Sequence, residues 1–261
     1  DRKLLEKIFI TSKIDAVIHC AGLKAVSESV AEPIKYHQNN VDGSKNLISV
    51  MEKHKVYNLV FSSSATVYGD PKYLPIDECH PLNPLHPYGE NKIKIEELLR
   101  QSASRNSAWK ILSLRYFNPV GAHDSYLLGD NPLGIPNNLF PFMMRVASKE
   151  INHLQVFGDN YDTRDGTGVR DYIHIMDLID GHISALLHLE HMEAEDNYNA
   201  INLGTGKGYT VLEILKKFEE VNNLSLPFVI ESRRDGDVAS SYANIEKAAT
   251  ELQWKAKRSL E

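Results

Sequence analysis

Asn58-Leu-Val-Phe-Ser62, continued by Ser63-Ser-Ala-Thr-Val-Tyr-Gly69, is an apolar run that breaks into a series of hydroxyl side chains. A short apolar run bounded by turn residues reads as a buried strand. Asp15-Ala-Val-Ile-His-Cys-Ala21, ending at Gly22, and Ala108-Trp-Lys-Ile-Leu-Ser-Leu-Arg115 have the same character. Amphipathic segments lie between them. Pro33 stands where a first helical turn tolerates proline, and Val41, Leu47, Ile48 and Met51 recur at helical spacing. Tyr88 to Arg100 carries Ile93, Ile95, Leu98 and Leu99 above a surface of Lys and Glu. Strand alternating with helix predicts an α/β fold, a doubly wound parallel sheet covered on both faces. In such sheets ligands bind beyond the carboxyl ends of the strands. The polar clusters after Ala21, Phe61 and Tyr116 all fall there.

Beyond about residue 117 the alternation loosens into long Gly/Pro/Asn loops, residues 118–138 and 158–169. Loops of that length are usually functional. The expected organisation is therefore a sheet domain over residues 1–117 and a smaller irregular α/β lobe over 118–261. Some segments of the second part return to the first.

The composition narrows the function classes. Of 261 residues, 42% are hydrophobic and 25% charged, which is ordinary for a globular chain. A formal charge of −6 argues against a nucleic-acid backbone binder, and no apolar run is long enough to span a bilayer. Cys20 and Cys79 are the only cysteines and have no CxxC spacing, which suits a reducing, cytoplasmic setting. His188 and His191 share a helix face without a third ligand, so they read as surface residues and no metal is expected.

The chemistry begins at Tyr88-Gly-Glu-Asn-Lys92. Four residues apart on a helix, a phenol and an ammonium share one face. A cation beside a phenol favours the phenolate, so the pair is expected to have a lowered tyrosine pKa and to accept a proton from a hydroxyl. The spacing alone is weak. Tyr68-Gly-Asp-Pro-Lys72 has it too, but there Gly and Pro exclude a helix. Context separates the two, because a strand ending at Phe61 delivers Ser64 to the same sheet edge.

Serine after one strand and Tyr-x-x-x-Lys opening the next helix resembles the extended short-chain dehydrogenase/reductase superfamily, whose sheet is Rossmann-like. Six ordered stretches narrow the resemblance to its UDP-glucose 4-epimerase family. They are His19-Cys-Ala-Gly-Leu-Lys-Ala-Val26, Phe61 to Gly69, Leu114-Arg-Tyr-Phe-Asn-Pro-Val-Gly-Ala122, Gly134-Ile-Pro-Asn-Asn-Leu139, Asp165-Gly-Thr-Gly-Val-Arg-Asp-Tyr-Ile-His174 and Arg233-Arg-Asp-Gly-Asp237. The resemblance implies Tyr88 as acid/base, Ser64 as its hydrogen-bonding companion, and Lys92 tuning the tyrosine and holding NAD. It implies Lys24, Asn39 and Phe117 at the cofactor, with Asn118, Asn138 and Leu139 at the nucleotide sugar. Gln155, Val156 and Phe157 would lie along the uridine, Arg170 and Arg234 on the diphosphate, and Asp237 on the ribose. Ser241 would stand beside the sugar C2 group, where a small residue leaves room for an N-acetyl substituent.

The implied activity is interconversion of UDP-glucose and UDP-galactose, a step of galactose metabolism, by oxidation at C4, rotation of the 4-keto sugar and re-reduction. The implied assembly is a homodimer. Two guanidiniums can clamp a diphosphate through paired hydrogen bonds, which lets an acidic protein bind an anion locally. Asp165 and Asp171 are alternative ion-pair partners for Arg170. Ala65 and Thr66 stand where a dehydratase relative would need an Asp-Glu pair, so dehydration is rejected.

The family's opening strand and glycine-rich dinucleotide turn do not occur in these residues. Two βα units of roughly 30 residues each would supply them. Asn202-Leu-Gly-Thr-Gly-Lys-Gly-Tyr209 is no substitute, because Tyr209 takes the third glycine's place. The residues given are therefore expected to hold NAD weakly, which leaves a non-catalytic nucleotide-sugar-binding module as the alternative reading.

Overall fold

The computed structural model describes residues 1–132, 136 and 138–260. Of the Gly134–Leu139 motif, Gly134, Ile135 and Asn137 lie outside the described residues. Helix α1 (Arg2–Thr11) is capped by the Asp1 carboxylate, which accepts from the N–H groups of Lys3 and Leu4. Next come β1 (Val17–His19), α2 (Val26–Ala31), α3 (Pro33–Tyr36), a π-helical stretch His37–Asp42 and α4 (Gly43–Lys53). Strand β2 (Asn58–Ser64), α5 (Pro87–Arg105), β3 (Lys110–Tyr116) and β4 (Asn118–Val120) follow. The remaining elements are α6 (Leu139–Ala147), β5 (Leu154–Phe157), β6 (Val169–Arg170), β7 (Tyr172–His174), α7 (Ile175–His188), β8 (Tyr198–Leu203), β9 (Tyr209–Thr210), α8 (Val211–Asn222), β10 (Phe228–Glu231), β11 (Ser240–Ser241) and α9 (Glu246–Glu251).

The main sheet has the order β1-β2-β3-β8 and is parallel throughout. In β2 the side-chain period of two sends Leu59 and Phe61 to one face and Val60 to the other. Leu59, Phe61 and Ile111 pack against α4 and α5 through Ile48, Met51, Ile95 and Leu99, with Trp109, just before β3, in the same core. Val60, Leu112, Leu114, Ile201 and Leu203 pack against α7 and α9 through Leu178, Ala185, Ala248 and Trp254. Each fully buried large apolar side chain contributes about 1.5–3 kcal/mol, which is why both sheet faces read as apolar runs. Strand β8 comes from the second half of the sequence yet completes the sheet of the first.

Around this sheet lie three small ones, β5-β10, β11-β6-β9 and β4-β7. Val156 and Leu154 of β5 pack with Met143 and Val146 of α6 and with Ile214 and Leu215 of α8 as a separate core. The two regions are tied at Asp171. Its buried carboxylate accepts from the N–H groups of Thr205, Gly206 and Ala243 and from the Thr205 hydroxyl. Asp171 is therefore committed to the loop after β8, and the Arg170 side chain turns elsewhere.

Helix α5 corrects the sequence expectation. It buries Tyr88, Asn91, Lys92, Ile95, Glu96 and Leu99, an i, i+3, i+4, i+7, i+8, i+11 stripe, while Ile93 and Leu98 are only half-buried. Glu96, which falls within the Lys and Glu surface expected of this amphipathic helix, faces inward beside Lys92, and each finds a buried partner.

Candidate functional site

Helix α5 starts at Pro87, whose missing N–H costs nothing in a first turn. His86 caps it, with Nδ1 accepting from the Gly89 N–H at 3.2 Å. Tyr88 is thereby placed in the first turn, 8% exposed, with its backbone N–H donating to Ser29 Oγ at 3.2 Å. Lys92 lies one turn on, 5% exposed, its Nζ donating to the Ser62 carbonyl at 2.6 Å. Strand β1 pairs with β2 only as far as Phe61, and the Ser62 carbonyl just past that point accepts the ammonium. Ser64 ends β2, where its Oγ accepts from the Thr66 N–H and hydroxyl at 3.2 and 3.0 Å. The structure thus brings Tyr88, Lys92 and Ser64 together at the carboxyl end of the sheet.

The electrostatics differ from the sequence expectation. Burial pushes the Tyr88 phenol up, with nearby Tyr116 adding to the rise and the Ser64 hydroxyl lowering it. Burial pulls the Lys92 ammonium down to about 8, while Cys20 and Glu96 raise it. Desolvation moves each group toward its neutral form, and it outweighs the attraction between cation and phenolate. The expected lowering of the phenol by Lys92 is therefore not found. Tyr88 rests as a neutral phenol, ready to donate a proton.

A second cluster gathers aromatic rings and guanidiniums. Gln155 and Phe157 point away from the core on β5, while Val156, 1% exposed, points into it, so only the Val156 backbone can meet a ligand. Arg234 stacks on Phe157 with Cζ 3.7 Å from the ring centre. Arg170 donates to the Val169 carbonyl at 2.8 Å and lies 3.5 Å from the Asp237 carboxylate. Asp237, not Asp165 or Asp171, is its acidic neighbour. Burial lowers Arg234, partly offset by Asp237. Ser241 pairs in register with Arg170 between β11 and β6, half-buried. The loop carrying Arg234 and Asp237 approaches the first cluster, since Asp237 acts electrostatically on His86 and a side chain on Gly236 would lie 3.9 Å from Leu85.

The other predicted residues are more dispersed. Phe117, 6% exposed, packs with Val67, Tyr68, Ile76 and Ala243 as a core residue. Asn118 is exposed, its N–H donating to the Asp171 carbonyl at 2.9 Å. Asn138 is exposed at the start of α6, and half-buried Leu139 packs on the second core. Lys24 and Asn39 are exposed, whereas Asn40 is buried and grips Leu23, accepting from its N–H at 2.8 Å and donating to its carbonyl at 2.9 Å. This fits a dinucleotide edge. Asn40 holds the Gly22–Lys24 loop at the end of β1, and a side chain on Gly22 would stand 3.2 Å from Asn40 Oδ1. Tyr68 and Lys72 do not pair on a helix: the Tyr68 hydroxyl donates to Asn202 at 2.6 Å.

Three neighbours escaped sequence reading. Tyr116 continues the Leu112–Leu114 alternation to the end of β3, His86 is the cap before Pro87, and Asn40 is the inward neighbour of Asn39. Period and capping position were the available signals. Among the described residues no group of three His, Cys, Asp or Glu side chains could hold a metal.

Comparison with known proteins agrees with this geometry. A family model described as the NAD dependent epimerase/dehydratase family matches residues 1–204. The chain is 52% identical over 261 residues to UDP-glucose 4-epimerase 2 of Arabidopsis thaliana, covering 100% of this chain and 74% of that protein. It is 51% identical over 262 residues to the UDP-glucose 4-epimerase of Haemophilus influenzae, covering 77% of it. The crystal structure of UDP-glucose 4-epimerase from Bifidobacterium longum in complex with NAD+ and UDP superposes with a TM-score of 0.95 at 50% identity, over 100% of this chain and 77% of that one. The chain belongs to the NAD dependent epimerase/dehydratase family, and within it to the UDP-glucose 4-epimerases.

Proposed function

We propose that this protein interconverts UDP-glucose and UDP-galactose at the site formed by Tyr88, Ser64 and Lys92. The observation that carries this is the buried Tyr88–Lys92 pair beside the last serine of β2, within reach of a loop that bears Arg234 and Asp237. Lys92, with the Gly22–Lys24 loop, would hold NAD. When bound there, NAD would supply the hydride acceptor and donor for sugar C4, and its positive charge would favour the Tyr88 phenolate. Tyr88 moves the 4-hydroxyl proton, and Ser64 orients that hydroxyl through its own. The neutral phenol is the form that would protonate a 4-keto oxygen on the return step.

Arg170 and Arg234 would fix the diphosphate and Phe157 the uracil, with Asp237 at the ribose, and Gln155 and the Val156 backbone alongside. Asn118, Asn138 and Leu139 would meet the hexose. Remote anchoring leaves the ring free to turn, the division of binding energy that such chemistry needs. Ser241, half-buried and paired in register with Arg170, would as a small residue leave room for a C2 N-acetyl group, so UDP-GlcNAc and UDP-GalNAc would also interconvert.

The chain divides into a nucleotide-binding part over residues 1–117, completed by β8, and a mainly sugar-binding lobe over 118–261. We further infer a cytoplasmic homodimer. The free Cys20 and Cys79 agree with a reducing compartment, and Val30 and Ile34, 60% and 72% exposed, offer apolar surface to a second copy. No helix among the described residues is long and apolar enough to cross a membrane.

The test is to express these residues together with any that the gene encodes on either side, and to assay bound NAD and conversion of UDP-galactose. Copurified NAD with interconversion of the two UDP-hexoses is expected. UDP binding without any conversion would instead support the binding-module reading.

A further inference from the structure

Glu96 is 1% exposed in the middle of α5, one turn beyond Lys92. A buried carboxylate is costly unless it is paired and hydrogen-bonded, and this one is both. Its Oε1 accepts from the Ser63 hydroxyl at 2.6 Å and from Arg115 Nε at 3.0 Å, and its Oε2 accepts from Arg115 Nη2 at 2.6 Å. Arg115, 2% exposed on β3, also donates to the Tyr68 hydroxyl at 3.1 Å, and Tyr68 donates to Asn202 on β8. One carboxylate therefore links α5 to β2 directly and to β3 and β8 through Arg115.

The position of that link bears on the site. Lys92 reaches the Ser62 carbonyl and Glu96 reaches the Ser63 hydroxyl, so two residues a helical turn apart attach to two consecutive residues of one strand. The next strand residue is Ser64, and one turn back on the helix is Tyr88. A slide or rotation of α5 on β2 would change the Tyr88–Ser64 separation directly, and misplacement of reacting groups by about 1 Å costs on the order of a hundredfold in rate.

We infer that Glu96 is a positioning residue for the epimerase site, locking the register of α5 against β2 so that Tyr88 and Lys92 are held opposite Ser64. Its carboxylate is buried and fully engaged, and it acts through the Ser63 hydroxyl and the Arg115 guanidinium. It is also one of the groups facing Lys92. The others are Tyr88 on the same helix, His19 and Cys20 at the end of β1, and Phe61 and the Ser62 carbonyl of β2.

The inference rests on the epimerase reading, so the experiment has one arm that does not. In full-length protein labelled with ¹³Cε-lysine, the Lys92 titration is followed by NMR for wild type and Glu96→Gln. Loss of the carboxylate is expected to lower the Lys92 midpoint by about half a pH unit or more. In the kinetic arm, Glu96→Gln is expected to lower kcat for UDP-galactose by roughly 10- to 100-fold while KM stays within about twofold, the pattern of a lost transition-state arrangement. Ser63→Ala keeps the ion pair and removes only the link to β2. It should fold like wild type and lose a smaller part of kcat at unchanged KM, and it decides the matter if Glu96→Gln does not fold. Wild-type kcat in Ser63→Ala, or an unmoved Lys92 titration with wild-type kcat in folded Glu96→Gln, overturns the assignment. Absence of UDP-hexose conversion in wild type overturns the functional reading alone, and the titration still decides whether Glu96 governs Lys92.

Discussion

Lys92 holds its ammonium 5.6 Å from the centre of the Tyr88 ring, yet directs its hydrogen bond to the Ser62 carbonyl at 2.6 Å. The pair is therefore preassembled, with the cation in place and the phenol neutral. Two buried groups sit side by side, one pushed up and the other pulled down by desolvation, and the strand end fixes where the cation lies.

Replacing Tyr88 with Phe removes one oxygen and keeps the ring on its packing. Epimerisation should fall by three orders of magnitude or more, on the order of the combined general acid–base and positional contributions. UDP affinity, which we propose is set by Arg170, Arg234 and Phe157, should stay near wild type. Calorimetric titration with UDP beside a turnover assay checks both, and equal loss of the two would show Tyr88 to be structural.

Lys92 keeps a cation inside the fold at a cost. Its folded pKa is about 8, below the ordinary 10.5, so between those values the unfolded chain binds more protons and stability rises with pH. Below about pH 8 the penalty is constant. Lys92→Met should then stabilise the protein at pH 7 by roughly 1–3 kcal/mol, reduced by the unpaired Ser62 carbonyl, and abolish turnover. Urea unfolding at pH 7 and pH 10 should show the advantage of the variant shrinking at the higher pH.

His19 behaves in the opposite pH range. Burial, with Lys92 nearby, lowers its imidazole to about 4 from the ordinary 6.5. Its Nε2 lies 2.8 Å from Ser44 Oγ, which itself donates to the Asn40 carbonyl at 2.6 Å, so Nε2 carries the proton. The unfolded chain protonates first as pH falls through 6.5, and stability is lost from there down to about pH 4. His19→Gln should remove roughly 1–3 kcal/mol of that acid sensitivity. Denaturation midpoints at pH 7 and pH 4.5 measure it.

Arg234 is held by the face of Phe157, a contact that a planar guanidinium makes and an ammonium makes poorly. Arg234→Lys should weaken UDP binding about tenfold, near 1.4 kcal/mol, with little change in melting temperature. Retention of wild-type UDP affinity would remove Arg234 from the diphosphate site.

The shared helix face of Tyr88 and Lys92 and the strand that ends beside them were legible because both depend on short-range periodicity. A short run such as Leu59-Val-Phe61, bounded by turn residues, reads as a strand apolar on both faces, and Tyr88 and Lys92 share a helix face by geometry alone. Arg170, Phe157 and Arg234 were named from motif resemblance, but the stacking of Arg234 on Phe157 and the approach of Arg170 to Asp237 lay beyond reach, since they join β5 and β6 to a loop more than sixty residues away. Sequence also misjudged ionisation: proximity of Tyr88 and Lys92 could be counted along the chain, while their desolvation could not. Glu96 shows the same division. Its spacing from Lys92 is written in the sequence, but whether it faces water or Arg115 depends on how α5 is laid against the sheet. Local order follows from neighbours along the chain, whereas charge state and partnership follow from what excludes water, and only the packed molecule determines that.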